Sequence, residues 1–279
     1  MFDVTEADLR CRYDFAASEA LVDQAVADAT TGDGRALLRF LGRYVSWNGG
    51  FGAGVATLAG KIGRSRDLFV DPDEPLAACA DRSIHVASYF FDAARDEFDD
   101  GATRHRDAHR SLAQAMIKGV AAYHDIGLDE AGAILESPLW LEGLEARTQT
   151  GYGYGTPDGL PAVFRSMGFH LGSEVLADAE FSRIDTALRR GSPPLVDFLL
   201  RTRVRVADQE HPAYYWLGVH SGHGGGVEVD HFDWAVAGVR EAFRYTPARH
   251  HAYLRGQVLG GFDDFAACHR EFFELVSSN

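Results

Sequence analysis

Leu37, Phe40, Leu41, Tyr44 and Trp47 recur at spacings of three and four, the period that lines up one face of an α-helix. The same spacing returns between Ala80 and Phe98, through Ile84, Ala87 and Ala94, and between His105 and Tyr123, through Leu112, Met116, Ile117 and Val120. It resumes in AVFRSMGFHLGSEVLADAEF, in VDHFDWAVAGVREAFRY and in the final FDDFAACHREFFELV. Breaks fall at DPDEP (71 to 75), DDGATR (99 to 104), TQTGYGYGTPDGLP (148 to 161) and GSPP (191 to 194). The third is expected to be a long loop, since helical pattern resumes directly after it. The glycines between Asn48 and Gly54 predict close helix packing or a kink. Only RTRVRVA alternates like a strand, and one such run does not make a sheet. The expected fold is all-α, a single domain over 1–279 with about seven to nine helices, the number its length allows.

At 46% apolar and 24% charged residues, the chain has an ordinary globular composition. Its formal net charge of −14 argues against nucleic acid and anionic membrane, both of which need a basic patch. No apolar run approaches a membrane span, and MFDVTEADLRCRYDF is too charged for a signal peptide, so a cytoplasmic protein is expected. Cys11, Cys79 and Cys268 lie far apart and form no CxxC pair. Neither a disulfide framework nor a thiolate zinc site is expected.

Three clusters carry candidate chemistry. In DEFDDGATRHRDAH, Glu97 ends one helix while His105 and His109 open the next at i,i+4. A helix–break–helix hinge brings Glu97 near one of these histidines. In FHLGSEVLADAEF, His170 and Glu174 stand one helical turn apart, and a carboxylate facing the core needs a proton, a cation or a metal. The third cluster is HSGHGGGVEVDHFDW. Glu228 and His231 at i,i+3 can reach one ion. His220 lies eleven residues before His231, nearly on the same face. His223 lies five before Glu228, which suits a wider, π-type turn. The glycines would let the backbone open so that a histidine approaches an ion. Imidazole with carboxylate and no thiolate suits iron or manganese, and carboxylate-bridged di-iron centres in helical bundles use this inventory.

In the order of these residues the chain resembles the heme-oxygenase-like diiron oxidases from Leu37 to about Tyr245. The resemblance matches a Glu–His pair to Glu97 with His109 (or His105), a lone helical Glu to Glu174, and a final His, carboxylate, His to His223 (or His220), Glu228 and His231. It implies a heme-oxygenase-like helical bundle holding two iron ions, with O2 as co-substrate. Glu97, Glu174 and Glu228 would be the catalytic carboxylates. Implied partners are a small amine or amino-acid-like substrate and an external electron donor, and a homodimer is compatible. The implied reaction is N-oxygenation in biosynthesis, with oxidative C–C cleavage, desaturation or decarboxylation as alternatives at the same site. Arg95, Arg165 and Arg183 flank the clusters; each can hold a substrate carboxylate or form a structural salt bridge.

Rival readings start from other features. His124–Asp125 in AYHDIGL resembles the metal motif of HD-type phosphohydrolases, although Asp and Gly also end helices. A heme protein of the same fold and a metal-free helical binding protein are further alternatives. Thiaminase-type helical proteins share the architecture but need a cysteine nucleophile, and no cysteine lies within a cluster.

Overall fold

The computed structural model describes residues 4–71, 73–74, 81–99, 107–221 and 228–278, without the side chains of 177–179, 228–230 and 277–278. The helices are α1 (Glu6–Arg10), α2 (Phe15–Thr31), α3 (Gly34–Asn48), α4 (Phe51–Arg64), α5 (Ser83–Phe98), α6 (His109–Tyr123) and α7 (Leu128–Ile134). They continue with α8 (Leu139–Gly151), α9 (Leu160–Gly191), α10 (Pro193–Arg201), α11 (Tyr215–His220), α12 (Glu228–Arg244) and α13 (His251–Ser278). The expected all-α bundle is what forms. Among the described residues nine helices have thirteen residues or more, and four are shorter.

Local chemistry sets many of the boundaries. Thr5 and Asp8 form a capping box on α1, Asp14 caps α2, and Asp33 Oδ1 accepts the N–H groups of Arg35 and Ala36 at 3.0 Å to start α3. Proline stands in the first turn of α9 and of α10, where its missing N–H costs nothing. The run 36–63 is not one kinked helix. It stops at Gly49–Gly50 and restarts as α4, and the following glycines serve packing. A Cβ on Gly52 would lie 2.7 Å from Cβ of Glu97, and one on Gly54 would lie 2.2 Å from the Tyr152 ring. Glycine there lets α4 approach both residues closely.

The longest helices, α9 and α13, lie along one another. Their backbones touch where Gly168 and Gly261 stand, since a methyl at either would fall 1.8 Å from a carbonyl oxygen of the facing helix. Around this pair the core is aromatic. Trp47 stacks on Phe272 with centroids 4.5 Å apart and donates its indole N–H to Thr148 Oγ1 at 3.1 Å.

Two irregular stretches differ in detail from expectation. The segment 148–161 is helical as far as Gly151, so the loop is shorter, with Gly153 and Gly155 at φ of +103° and +71°. Buried Lys61 pins that turn by donating to the carbonyls of Gly153 (3.1 Å) and Thr156 (2.7 Å). The alternating run does form a strand, β1 (Arg203–Val206), paired antiparallel with β2 (Gln209–Pro212) as a two-stranded hairpin. No helix among the described residues is long and apolar enough to cross a membrane.

Candidate functional site

Glu97 lies in the last turn of α5, His109 opens α6, Glu174 sits mid-way along α9, His220 ends α11, and His231 is in the first turn of α12. These five side chains, each from a different helix, meet in the interior. His109 Nδ1 is 3.3 Å from Glu97 Oε2 and 3.3 Å from His220 Nε2. Glu174 Oε2 is 3.8 Å from His231 Nδ1. A small enclosed cavity of about 30 Å³ separates the groups, walled by Glu97, Glu174, His220 and His231 with Asn48 and Tyr152. At roughly 10–15 Å³ for each water-sized sphere, that is room for about two water molecules or ions and little more.

Several contacts aim these donors inward. His220 Nδ1 lies 2.6 Å from the Trp216 carbonyl oxygen. A carbonyl only accepts, so Nδ1 carries the proton and Nε2 presents its lone pair to the site. His231 Nε2 lies 3.1 Å from Asp96 Oδ2, leaving Nδ1 turned toward Glu174. His170, fully buried one turn before Glu174, places Nδ1 3.3 Å from Glu174 Oε1 and 3.3 Å from Ser173 Oγ. Its Nε2 is buried without a hydrogen-bond partner. Tyr152 donates to Ser173 Oγ at 2.8 Å, which extends the network.

The electrostatics fit lone-pair donors. Burial, followed by the nearby His231, brings the His170 imidazole down to about 3. Burial, followed by His109, brings His220 down to about 4. Both rings are therefore neutral at neutral pH. Burial pushes the Glu97 carboxyl up, but His109, His220 and His231 outweigh it and hold the group below its usual range. Burial pushes the Tyr152 phenol well up, so it stays protonated.

The remaining expected residues divide clearly. His105 and His223 lie outside the described residues, as does the run Gly224–Gly226 proposed to open the backbone. Glu228 opens α12, but its side chain also lies outside them. Among the described residues no three His, Cys, Asp or Glu side chains already surround one point as a metal site. Arg95, Arg165 and Arg183 all pair with carboxylates (Asp92 and Asp96, Asp264, and Glu19 with Asp23, respectively). They are structural salt bridges. His124 caps α6 and Asp125 takes the left-handed conformation after it, φ 51°, so the HDIG residues end a helix away from the cluster. Of the cysteines, Cys11 is exposed and Cys268 buried, neither lines the cavity, and Cys79 lies outside the described residues.

Asp96, Asn48 and Tyr152 were not anticipated as parts of the site. Asp96 left a faint signal as the acid preceding Glu97 in a helix that ends beside a histidine. Asn48 and Tyr152 left none, because each reaches the cavity through the packing of helices distant in sequence.

The architecture defines an all-α helical bundle with a polar cluster at its centre. A solved structure with this fold is a TenA homolog from Pseudomonas syringae pv. tomato, which matches with a TM-score of 0.50 at 11% identity, over 93% of this chain and 89% of its own. At that identity the likeness shows the fold alone. No known protein family matches the sequence, and no curated protein does.

Proposed function

We propose that this chain is an O2-dependent, non-heme diiron oxidase or oxygenase acting on a small amine or amino-acid-derived metabolite. N-oxygenation is the favoured outcome; C–C cleavage, desaturation and decarboxylation are alternatives at the same site. The observation that carries this reading is the meeting of Glu97, Glu174, His220 and His231 from four helices around one small cavity, with His109 of a fifth helix against Glu97 and His220. The TenA-like fold adds only the scaffold.

The donor set fits iron in kind. It is imidazole and carboxylate without thiolate, as open ferrous sites prefer. It also fits pairwise in spacing. Donors about 2.0–2.2 Å from one ion stand roughly 3 Å or a little more from each other, and the closest pairs here are at 3.3 Å. An ion has to draw these pairs inward, since no three of the described donors already surround a point. Glu97, His109 and His220 would hold one ion, and Glu174 with His231 the other, with Glu228 as the further expected carboxylate.

Two ferrous ions, when bound, supply the electrons that reduce O2 to a species able to oxidise an unactivated amine. The protein's own tasks can be read from its side chains. Trp216 and Asp96 fix the ring orientation of His220 and His231. His170 holds Glu174 from behind through Nδ1. Phe51, Val55, Ala93 and Phe181 form the apolar part of the cavity wall and keep bulk water out. Tyr152, protonated and buried, borders the cavity together with Ser173, to whose hydroxyl it donates.

The test is an anaerobic ferrous titration followed by O2. The expected result is about two irons per chain and a transient visible absorption band that decays with turnover. A Soret band would assign a heme protein instead. Phosphatase activity without O2 uptake would assign the hydrolytic reading, and no metal uptake a binding protein.

A further inference from the structure

Three spaces share walls in series from the surface to the cluster. The ion-sized cavity shares Asn48 and Glu97 with a larger cavity of about 310 Å³, which His109, Phe98, Ala53 and Trp216 also line. That cavity in turn shares Val45 and Arg110 with an open groove of about 780 Å³ between α3, α6 and α7. The middle space is at the lower end of the size range for small-molecule sites. Its walls are largely apolar, apart from Asn48, Glu97 and His109 at the inner side and Arg110 at the junction with the groove.

Arg110 is the telling residue. It follows His109 in the first turn of α6, and its guanidinium lies against Gly49, where a methyl group would fall 2.5 Å from Nη1. Arg95, Arg165 and Arg183 are all engaged by carboxylates. Arg110 makes no hydrogen bond or ion pair with any described residue, in a chain where acidic groups outnumber basic ones by 41 to 27. The α6 N-terminus beside it has no side-chain cap, so its N–H groups add positive potential at the same place.

We infer that the cavity of about 310 Å³ is the substrate pocket, that its ligand is a small monocarboxylate with an apolar body, and that Arg110 holds the carboxylate at the pocket's outer end. One guanidinium matches one carboxylate in a two-point fork. A doubly charged group such as phosphate would face the Glu97 carboxylate with a single cation to balance it. The body of the ligand then lies on Phe98, Ala53 and Trp216, with its far end toward Glu97 and His109. This rests on the oxidase reading for what happens to the ligand, but not for its binding.

Amino acids and simple fatty acids share this chemistry. Calorimetric titration of the full metal-free chain with the common L-amino acids and with straight-chain fatty acids, each beside its carboxamide, separates the two sources. The expected result is one carboxylate class bound about tenfold or more tightly than its carboxamide. Arg110→Gln should abolish that preference, and Arg110→Lys should restore part of it. Both variants should keep the wild-type circular dichroism and iron uptake. Absence of any carboxylate preference, or its persistence in Arg110→Gln, overturns the inference. Iron uptake measured after ferrous reconstitution of the same preparations keeps the two readings apart. Two irons bound without an Arg110-dependent preference removes the pocket and leaves the oxidase, whereas the preference without iron does the reverse.

Discussion

His109 Nδ1 and His220 Nε2 face each other at 3.3 Å across the junction of α6 and α11, 111 residues apart in sequence. Because His220 Nδ1–H donates to the Trp216 carbonyl, the Nε2 face of His220 is a lone pair, directed at another ring nitrogen. Two imidazoles set this way share an ion well. His109→Ala and His220→Ala should each lower bound iron from about two to about one per chain while leaving the helical circular dichroism unchanged. Elemental analysis of reconstituted protein measures it. Unchanged iron in both variants would remove these residues from the site.

Asp96 should matter nearly as much as a ligand although it stands behind one. It fixes His231 by accepting from Nε2 at 3.1 Å, and loss of such an orienting carboxylate weakens metal binding about ten- to a hundredfold. Asp96→Asn should therefore show weaker ferrous affinity in competition with a chelator, at normal thermal stability. His170→Phe should behave similarly, because it releases Glu174 from Nδ1.

A second buried polar network is structural. Glu180, with no exposed surface, accepts from Tyr44 Oη at 2.6 Å and stands 2.6 Å from His269 Nε2. That last pair is in contact but not aligned as a hydrogen bond, and His269 Nδ1 lies 3.3 Å from Ser18 Oγ. The network joins α2, α3, α9 and α13 through groups that have no water to turn to. Glu180→Ala should cost about 3–5 kcal/mol in urea unfolding. Glu180→Gln should cost clearly less, as an amide still serves Tyr44.

Acid should loosen the N-terminal segment first. The Thr5 amide, then its hydroxyl and Arg255, hold the Asp8 carboxyl below its ordinary value of 3.8. A depressed carboxylate stabilises the fold fully above its unfolded pKa and loses that contribution as pH falls through its folded pKa. The wild-type melting temperature should thus fall on going from about pH 7 to about pH 3. Asp8→Asn should start from a lower melting temperature, having lost about 1 kcal/mol of stability with the cap, and should fall less over the same range.

Much of this was legible in the sequence because helical period is a local property. The long apolar faces and the proline and glycine stops needed only spacing. Glu97, His109, Glu174 and His231 stood out because ligand-type groups at helix ends or on inward faces are costly without a purpose. His220 was left level with His223 because the glycine run makes residue counting ambiguous there, and helix α11 is what places His220 against His109. Arg110 was overlooked in favour of Arg95, Arg165 and Arg183. Which arginines find partners depends on the angles at which helices cross, and a linear pattern does not carry those. The break at Gly49–Gly50 was likewise invisible as a break, since the apolar period continues on both sides of it.

The most direct measurement is anomalous iron scattering from a crystal of the iron-loaded protein. Two peaks are expected inside the cavity between Glu97 and Glu174, about 3.5–4 Å apart, with His109, His220 and His231 as nitrogen ligands. Iron bound elsewhere, or a cavity that keeps only water when iron is in excess, would contradict it.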